Sequence, residues 1–285
     1  MNGVLDSKIG WAYKKLNYKE IWEHTKGANI KIGLIDSGIN PNSELENSIS
    51  QEFNLIDNST NAPDDLNHGT HIAGILCGHG PKLTGVCPES RLEIYKVISS
   101  THYLDSGLLH SAIDKAIQNA CHIISMSLEY YEYDDQIQAT ITQNRNNCVF
   151  IAAAGNKGKL NRIKDSYPAS YKDCISVGAV DENNIRYLRS NLSNHIDVMA
   201  PGTNIYSCTK NNSYTFESDT SFAVPFVSGL AALLGSFQIT NNSFDAQKIK
   251  DAILNSTIYL GDKIEYGKGL ISPVNSFNYL KNLQL

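Results

Sequence analysis

Positive charge is in deficit in this 285-residue sequence, with 24 Lys and Arg against 29 Asp and Glu and a net charge of -5. A chain of that balance has no basic footprint for a phosphate backbone, so neither nucleic acid nor an anionic membrane surface is expected as a partner. Long hydrophobic runs are missing too. The most apolar stretch, from Phe222 to Leu234, is broken by Pro225, Ser228 and Gly229, and it is shorter than the ~20 residues of a membrane span. The opening MNGVLDSKIGWAYKK has no apolar core of the kind a secretory signal carries. None of the six cysteines forms a C-x-x-C pair, and most sit in apolar runs such as HIAGILC, NNCVFIAAA and DCISVGAV. They read as buried thiols of a reducing cytosol rather than a disulfide frame.

No repeat, low-complexity tract or Pro-rich linker divides the chain, so residues 1–285 are expected to form one domain, with 1–25 as a packed N-terminal arm carrying Trp11, Tyr13, Leu16, Ile21 and Trp22. Hydrophobic residues at 41% and charged residues at 19% fit a compact globular protein. Short β-branched runs recur at 30–36, 92–98, 122–127, 149–154 and 175–180. Longer amphipathic stretches separate them, and in one of these Leu109, Ile113, Ala116, Ile117 and Ala120 repeat at helical spacing. The alternation predicts an α/β fold with a parallel sheet buried on both faces. The stretches 57–69 and 155–165 read as surface loops.

Three residues then carry chemistry. Asp36 ends the first strand in DSG, His68 opens a helix in HGTHIAG, and Ser221 opens another in TSFAVP. A serine hydroxyl is a poor nucleophile until an imidazole takes its proton, and the imidazole needs a carboxylate to fix its tautomer. Strand ends and helix starts of a parallel sheet meet at one crevice, which lets residues far apart in sequence act together. Taken singly, Asp36 is a turn residue and Ser221 a helix cap; taken in order, they form a triad. A zinc site on His68 and His71 is the rival reading, and no third acidic or thiol ligand stands near them. No metal or cofactor is expected.

With the order Asp, His, Ser, the sequence resembles the subtilase family. The likeness runs from Trp22 to Tyr266-Gly267-Lys268-Gly269 and Pro273-Val274-Asn275, and it includes Met199-Ala200-Pro201-Gly202. It implies a subtilisin-like three-layer sandwich around a mostly parallel sheet, and a serine endopeptidase acting through Asp36, His68 and Ser221. By the same resemblance, Asn156 in AAAGN is the oxyanion donor. Ser125, Met126, Ser127, Leu128, Glu129, Ala154, Gly155 and Lys157 bind a peptide substrate. Departures from the family bear on selectivity. Glu129 and Tyr130 replace paired glycines, which narrows the pocket, and Lys157 at its rim favours an acceptor such as Gln or Glu on the acyl side of the cut. Asp219 replaces a glycine, restricting the backbone and placing a charge near the oxyanion. The loop from Gly74 to Pro88 is too short for the calcium site of secreted members. With the short run before Asp36, these features lead to a cytoplasmic enzyme that removes a leader from a precursor peptide, a lantibiotic precursor among them. A general intracellular proteinase and a non-catalytic peptide-binding scaffold are the alternatives.

Overall fold

The computed structural model describes residues 10–160, 165–241 and 243–283. Residues 1–9 of the expected arm and 161–164 of the expected 155–165 loop lie outside them. The β-branched runs become strands β1 (Lys31–Asp36), β2 (Ile49–Asn54), β3 (Arg91–Lys96), β4 (Ile123–Met126), β5 (Val149–Ala153), β6 (Cys174–Val180) and β7 (Val198–Pro201), followed by β8 (Ile205–Thr209) and β9 (Ser213–Glu217). β1 to β7 form one sheet in the order β2-β3-β1-β4-β5-β6-β7. Every pairing in it is parallel, while β8 and β9 make a separate antiparallel hairpin.

The helices are α1 (Trp11–Leu16), α2 (Tyr18–Trp22), α3 (His68–Cys77), α4 (Ser106–Gln118), α5 (Asp135–Asn144), α6 (Val224–Thr240), α7 (Ala246–Leu254), α8 (Lys263–Tyr266) and α9 (Pro273–Asn282). α4 starts where the periodicity places it, because Asp105 caps it by accepting the Leu108 N–H at 2.8 Å. It stops two residues before the expected Ala120, which sits outside the helix at φ 56.

Side chains of successive strand residues point to opposite faces, and this splits the core into two layers. In β5, Val149, Ile151 and Ala153 join the core under α3, α6, α7 and α9, whereas Phe150 and Ala152 join the core under α4 and α5. This is the three-layer α/β sandwich expected of the sequence. The run Thr220–Thr240 is apolar and long enough to cross a membrane, but it is buried as the central core helix. The described part of the N-terminal segment is tied down by side chains: Tyr13 Oη donates to the Ile75 carbonyl at 3.0 Å, Tyr18 Oη to that of Phe226 at 2.7 Å, and Trp22 Nε1 to that of Val86 at 2.8 Å.

β1 has β3 on one side and β4 on the other. The chain leaves it in both directions, so a crevice opens at the carboxyl ends of these strands. The 78–85 loop flanking α3 is held by a carboxylate. Buried Glu44 accepts the backbone N–H of Lys82 at 3.0 Å and of Leu83 at 2.9 Å, and the Tyr214 hydroxyl at 2.5 Å.

Candidate active site

Asp36 is fully buried at the end of β1, and His68 is the first residue of α3. Their side chains meet with His68 Nδ1 2.7 Å from Asp36 Oδ1. Gly69 makes the approach possible, since a Cβ there would lie 2.2 Å from the Gly38 carbonyl oxygen. The same Asp36 oxygen accepts the Ser37 N–H at 2.7 Å.

A second carboxylate, which the sequence reading missed, braces this pair. Asp64 accepts the Thr70 N–H at 2.8 Å, the Thr70 hydroxyl at 2.7 Å and the Ser37 hydroxyl at 2.8 Å. Ser37 Oγ in turn accepts the Gly69 N–H at 2.9 Å. Buried Lys96 donates to the carbonyls of Ser37 and Pro63, each at 2.7 Å, and to Asp65 at 2.8 Å. An Asp four residues before His68, with a Thr two residues after it, is a local signal for such a brace; the reach of Lys96 has none.

Electrostatics at His68 follow from this frame. Burial works to lower its pKa, but the Asp36 charge and hydrogen bond, then the charges of Asp64 and Asp219, raise it above the ordinary value. His71 behaves in the opposite way. Burial pushes it down to about 4, its Nε2 reaches the Thr215 carbonyl at 3.3 Å, and its ring meets Phe222 edge-on at 4.8 Å. Among the described residues no group of three His, Cys, Asp or Glu is placed to hold a metal.

Ser221 lies in the short 3-10 turn Thr220–Phe222 that leads into α6. Its hydroxyl donates to the Ser127 carbonyl at 3.2 Å, and Ser127 Oγ donates back to the Ser221 carbonyl at 2.9 Å. Asn156 follows β5, and its Oδ1 accepts the Thr220 N–H at 3.2 Å and hydroxyl at 2.8 Å. Asp219 differs from its sequence reading. Its backbone is extended, φ -171 and ψ 171, a conformation open to any residue. Its carboxylate accepts the Thr220 N–H at 2.9 Å and pairs with Arg189 at 3.6 Å.

A cleft of about 400 Å³ brings together His68, Ser127, Leu128, Glu129, Asn156 and Ser221, with Leu66, Ile98 and Leu104 along its apolar side. The other expected binding residues stand back from it. Ser125 is buried, bonded to the Ser228 hydroxyl at 2.9 Å, and Met126 points into the core under α4 and α5. The Ala154 carbonyl is occupied by Ser166 Oγ at 2.7 Å and Asn191 Nδ2 at 2.8 Å. Gly155 takes φ +96. Lys157, expected at the rim, is exposed and does not line the cleft. The charged wall residue is Glu129, whose Oε2 accepts the Asn156 N–H at 2.8 Å.

Comparison with known proteins is consistent with this arrangement. A model of the subtilase family matches residues 27–271. Subtilisin DY from Bacillus licheniformis is 35% identical over 251 residues, which is 87% of this chain and 90% of that protein. Subtilisin E from Bacillus subtilis (strain 168) is 33% identical over 86% of this chain and 65% of its own length. Among solved structures, the prenylagaramide maturation protease PagA matches with a TM-score of 0.81 and 29% identity, over 92% of this chain and 98% of that one.

Proposed function

The chain belongs to the subtilase family and is a serine endopeptidase, and on that premise we propose that it is a selective processing enzyme that removes the leader from a precursor peptide in the cytoplasm, a lantibiotic precursor being the specific case. The observation that carries the peptidase part of this reading is the cleft that His68, Asn156 and Ser221 line together, with Asp36 bonded behind the imidazole at 2.7 Å. The Ser221 hydroxyl turns from the Ser127 carbonyl to His68 Nε2, gives up its proton there and attacks the scissile carbonyl. Asp36 holds Nδ1 protonated and stabilises the imidazolium, which then protonates the leaving amine.

Because Asn156 Oδ1 is tied to Thr220, its amide nitrogen is the end left to donate to the tetrahedral oxyanion, together with the Ser221 N–H. The substrate lies extended against residues 125–128, where main-chain hydrogen bonds supply affinity and the pockets supply selection. Selective processing is supported by the likeness to a maturation protease along almost the whole chain and by a carboxylate in the pocket wall. The cytoplasmic assignment is supported by the six cysteines, all buried and free.

A fluorophosphonate probe, a leader-bearing precursor peptide and casein test the proposal together. One adduct on Ser221, one or few cuts in the precursor and an intact casein are expected. Cleavage of casein at many sites makes the chain a general proteinase, and an unlabelled Ser221 ends the triad assignment.

A further inference from the structure

Glu129 is the one acidic side chain among those lining the cleft around Ser221. Its Oε2 accepts the Asn156 N–H at 2.8 Å, so the carboxylate bridges from the segment after β4 to the loop after β5. The fit is close on both sides. A Cβ on Gly155 would lie 2.5 Å from Glu129 Oε2, and the loop passes there because it carries no side chain. Behind Glu129, Tyr130 and Tyr167 exchange backbone hydrogen bonds, each 2.8 Å, which fixes the segment. The Tyr131 phenol is held above its ordinary value by burial, then by the Glu129 charge and a hydrogen bond to it. Among the described residues, none of the ion pairs involves Glu129. A carboxylate offers about four lone-pair sites. The Asn156 N–H engages one of them, and Glu129 lines the cleft.

We propose that Glu129 is the specificity-determining residue of the primary pocket. Its carboxylate accepts an N–H from the side chain on the acyl side of the scissile bond, admitting amides and cations and rejecting carboxylates and bulky aromatic rings. This rests on the peptidase reading above. It reverses the acceptor preference drawn from Lys157, since the charge that meets the substrate is negative. Two physical effects set the selection. A carboxylate on the substrate would put like charges together in a partly enclosed cleft, and an apolar side chain would leave the Glu129 oxygens without the partner the pocket is built for. The bridge to Asn156 also takes up the side of the pocket, which excludes width.

A peptide library varied at the acyl-side residue, profiled by mass spectrometry with the purified chain, tests this. Wild-type kcat/KM is expected to be at least about tenfold higher for Gln, Asn, Lys or Arg than for Glu, Asp or Phe. Glu129→Gln keeps an oxygen for the Asn156 N–H and turns a donor to the substrate, so it should raise cleavage after Glu relative to Lys by about tenfold or more. Glu129→Gly should admit Leu and Phe. A wild-type preference for Glu, Asp or an aromatic residue overturns the proposal without any variant, and so does a profile that Glu129→Gln leaves unmoved. Fluorophosphonate labelling of Ser221 in the same samples separates the two readings. Normal labelling with an unmoved profile removes Glu129 from the pocket and leaves the peptidase standing, whereas absent labelling of the wild type ends the peptidase reading itself.

Discussion

The cleft around Ser221 has two walls built to different rules. On the wall of Asp36 and His68, the carboxylates of Asp36 and Asp64 are buried, each accepts a backbone N–H, and Lys96 is buried with three acceptors. On the opposite wall, Glu129 is half-buried and accepts one backbone N–H, that of Asn156. A buried charge that loses its partner is costly, so the first wall tolerates little change. A half-exposed carboxylate at a rim can be exchanged for another residue at small cost to folding. The chemistry therefore sits on the wall that cannot vary and the selectivity on the wall that can.

The strongest break in this comparison is Ser221→Ala, which should lower kcat by about 10⁶ with folding intact. Retention of more than about a hundredth of the activity would mean that the first wall is not where bond cleavage occurs. Asn156 belongs to both walls, with its side chain held by Thr220 and its backbone N–H by Glu129. Asn156→Ala should cost roughly 10² to 10³ in kcat with KM nearly constant, because the lost donor acts on the transition state. An effect confined to KM would move Asn156 wholly to the specificity wall.

Glu44 offers a control outside both walls. Its truncation in Glu44→Ala leaves three donors without their acceptor, which should cost about 3 kcal/mol and lower the melting temperature by roughly 5 to 10 °C. A chelator should leave the wild-type melting temperature unchanged, since the Glu44 carboxylate ties the 78–85 loop. Calorimetry with and without chelator checks both.

Asp219→Gly should leave kcat equal to or a few-fold below wild type, because the extended backbone gains nothing from glycine and the Thr220 N–H loses the nearer of its two acceptors, keeping Asn156 Oδ1 at 3.2 Å. Asp219 is also one of the charges that raise His68. His68 acts as a base only when neutral, so activity falls as pH drops through its pKa. Removing the Asp219 charge lowers that pKa, and the acid limb of kcat/KM should move to lower pH. A limb that stays in place, or a higher kcat, would show that Asp219 acts through something other than Thr220 and His68. The smallest effect is expected from Lys157→Glu. With Lys157 exposed and outside the cleft, its reversal should shift the cleavage profile less than about twofold, and a larger shift would bring it back into the pocket.

Much of the catalytic wall was legible in the sequence because each of its residues stands in a local pattern. DSG closes a β-branched run, HGTH and TSFAVP open helices, and AAAGN ends a strand. The alternation of strands and helices marked the parallel sheet because side-chain period reports which faces are buried. What the sequence could not carry was direction across space. Arg189 answers Asp219 from another loop, Lys96 reaches two carbonyls and a carboxylate, and Lys157 turns to solvent while Glu129 turns to Asn156. Composition and spacing name the residues that can bond. Which of them do is decided by where folding sets their donors and acceptors, because a hydrogen bond exists only within about 3 Å and in line.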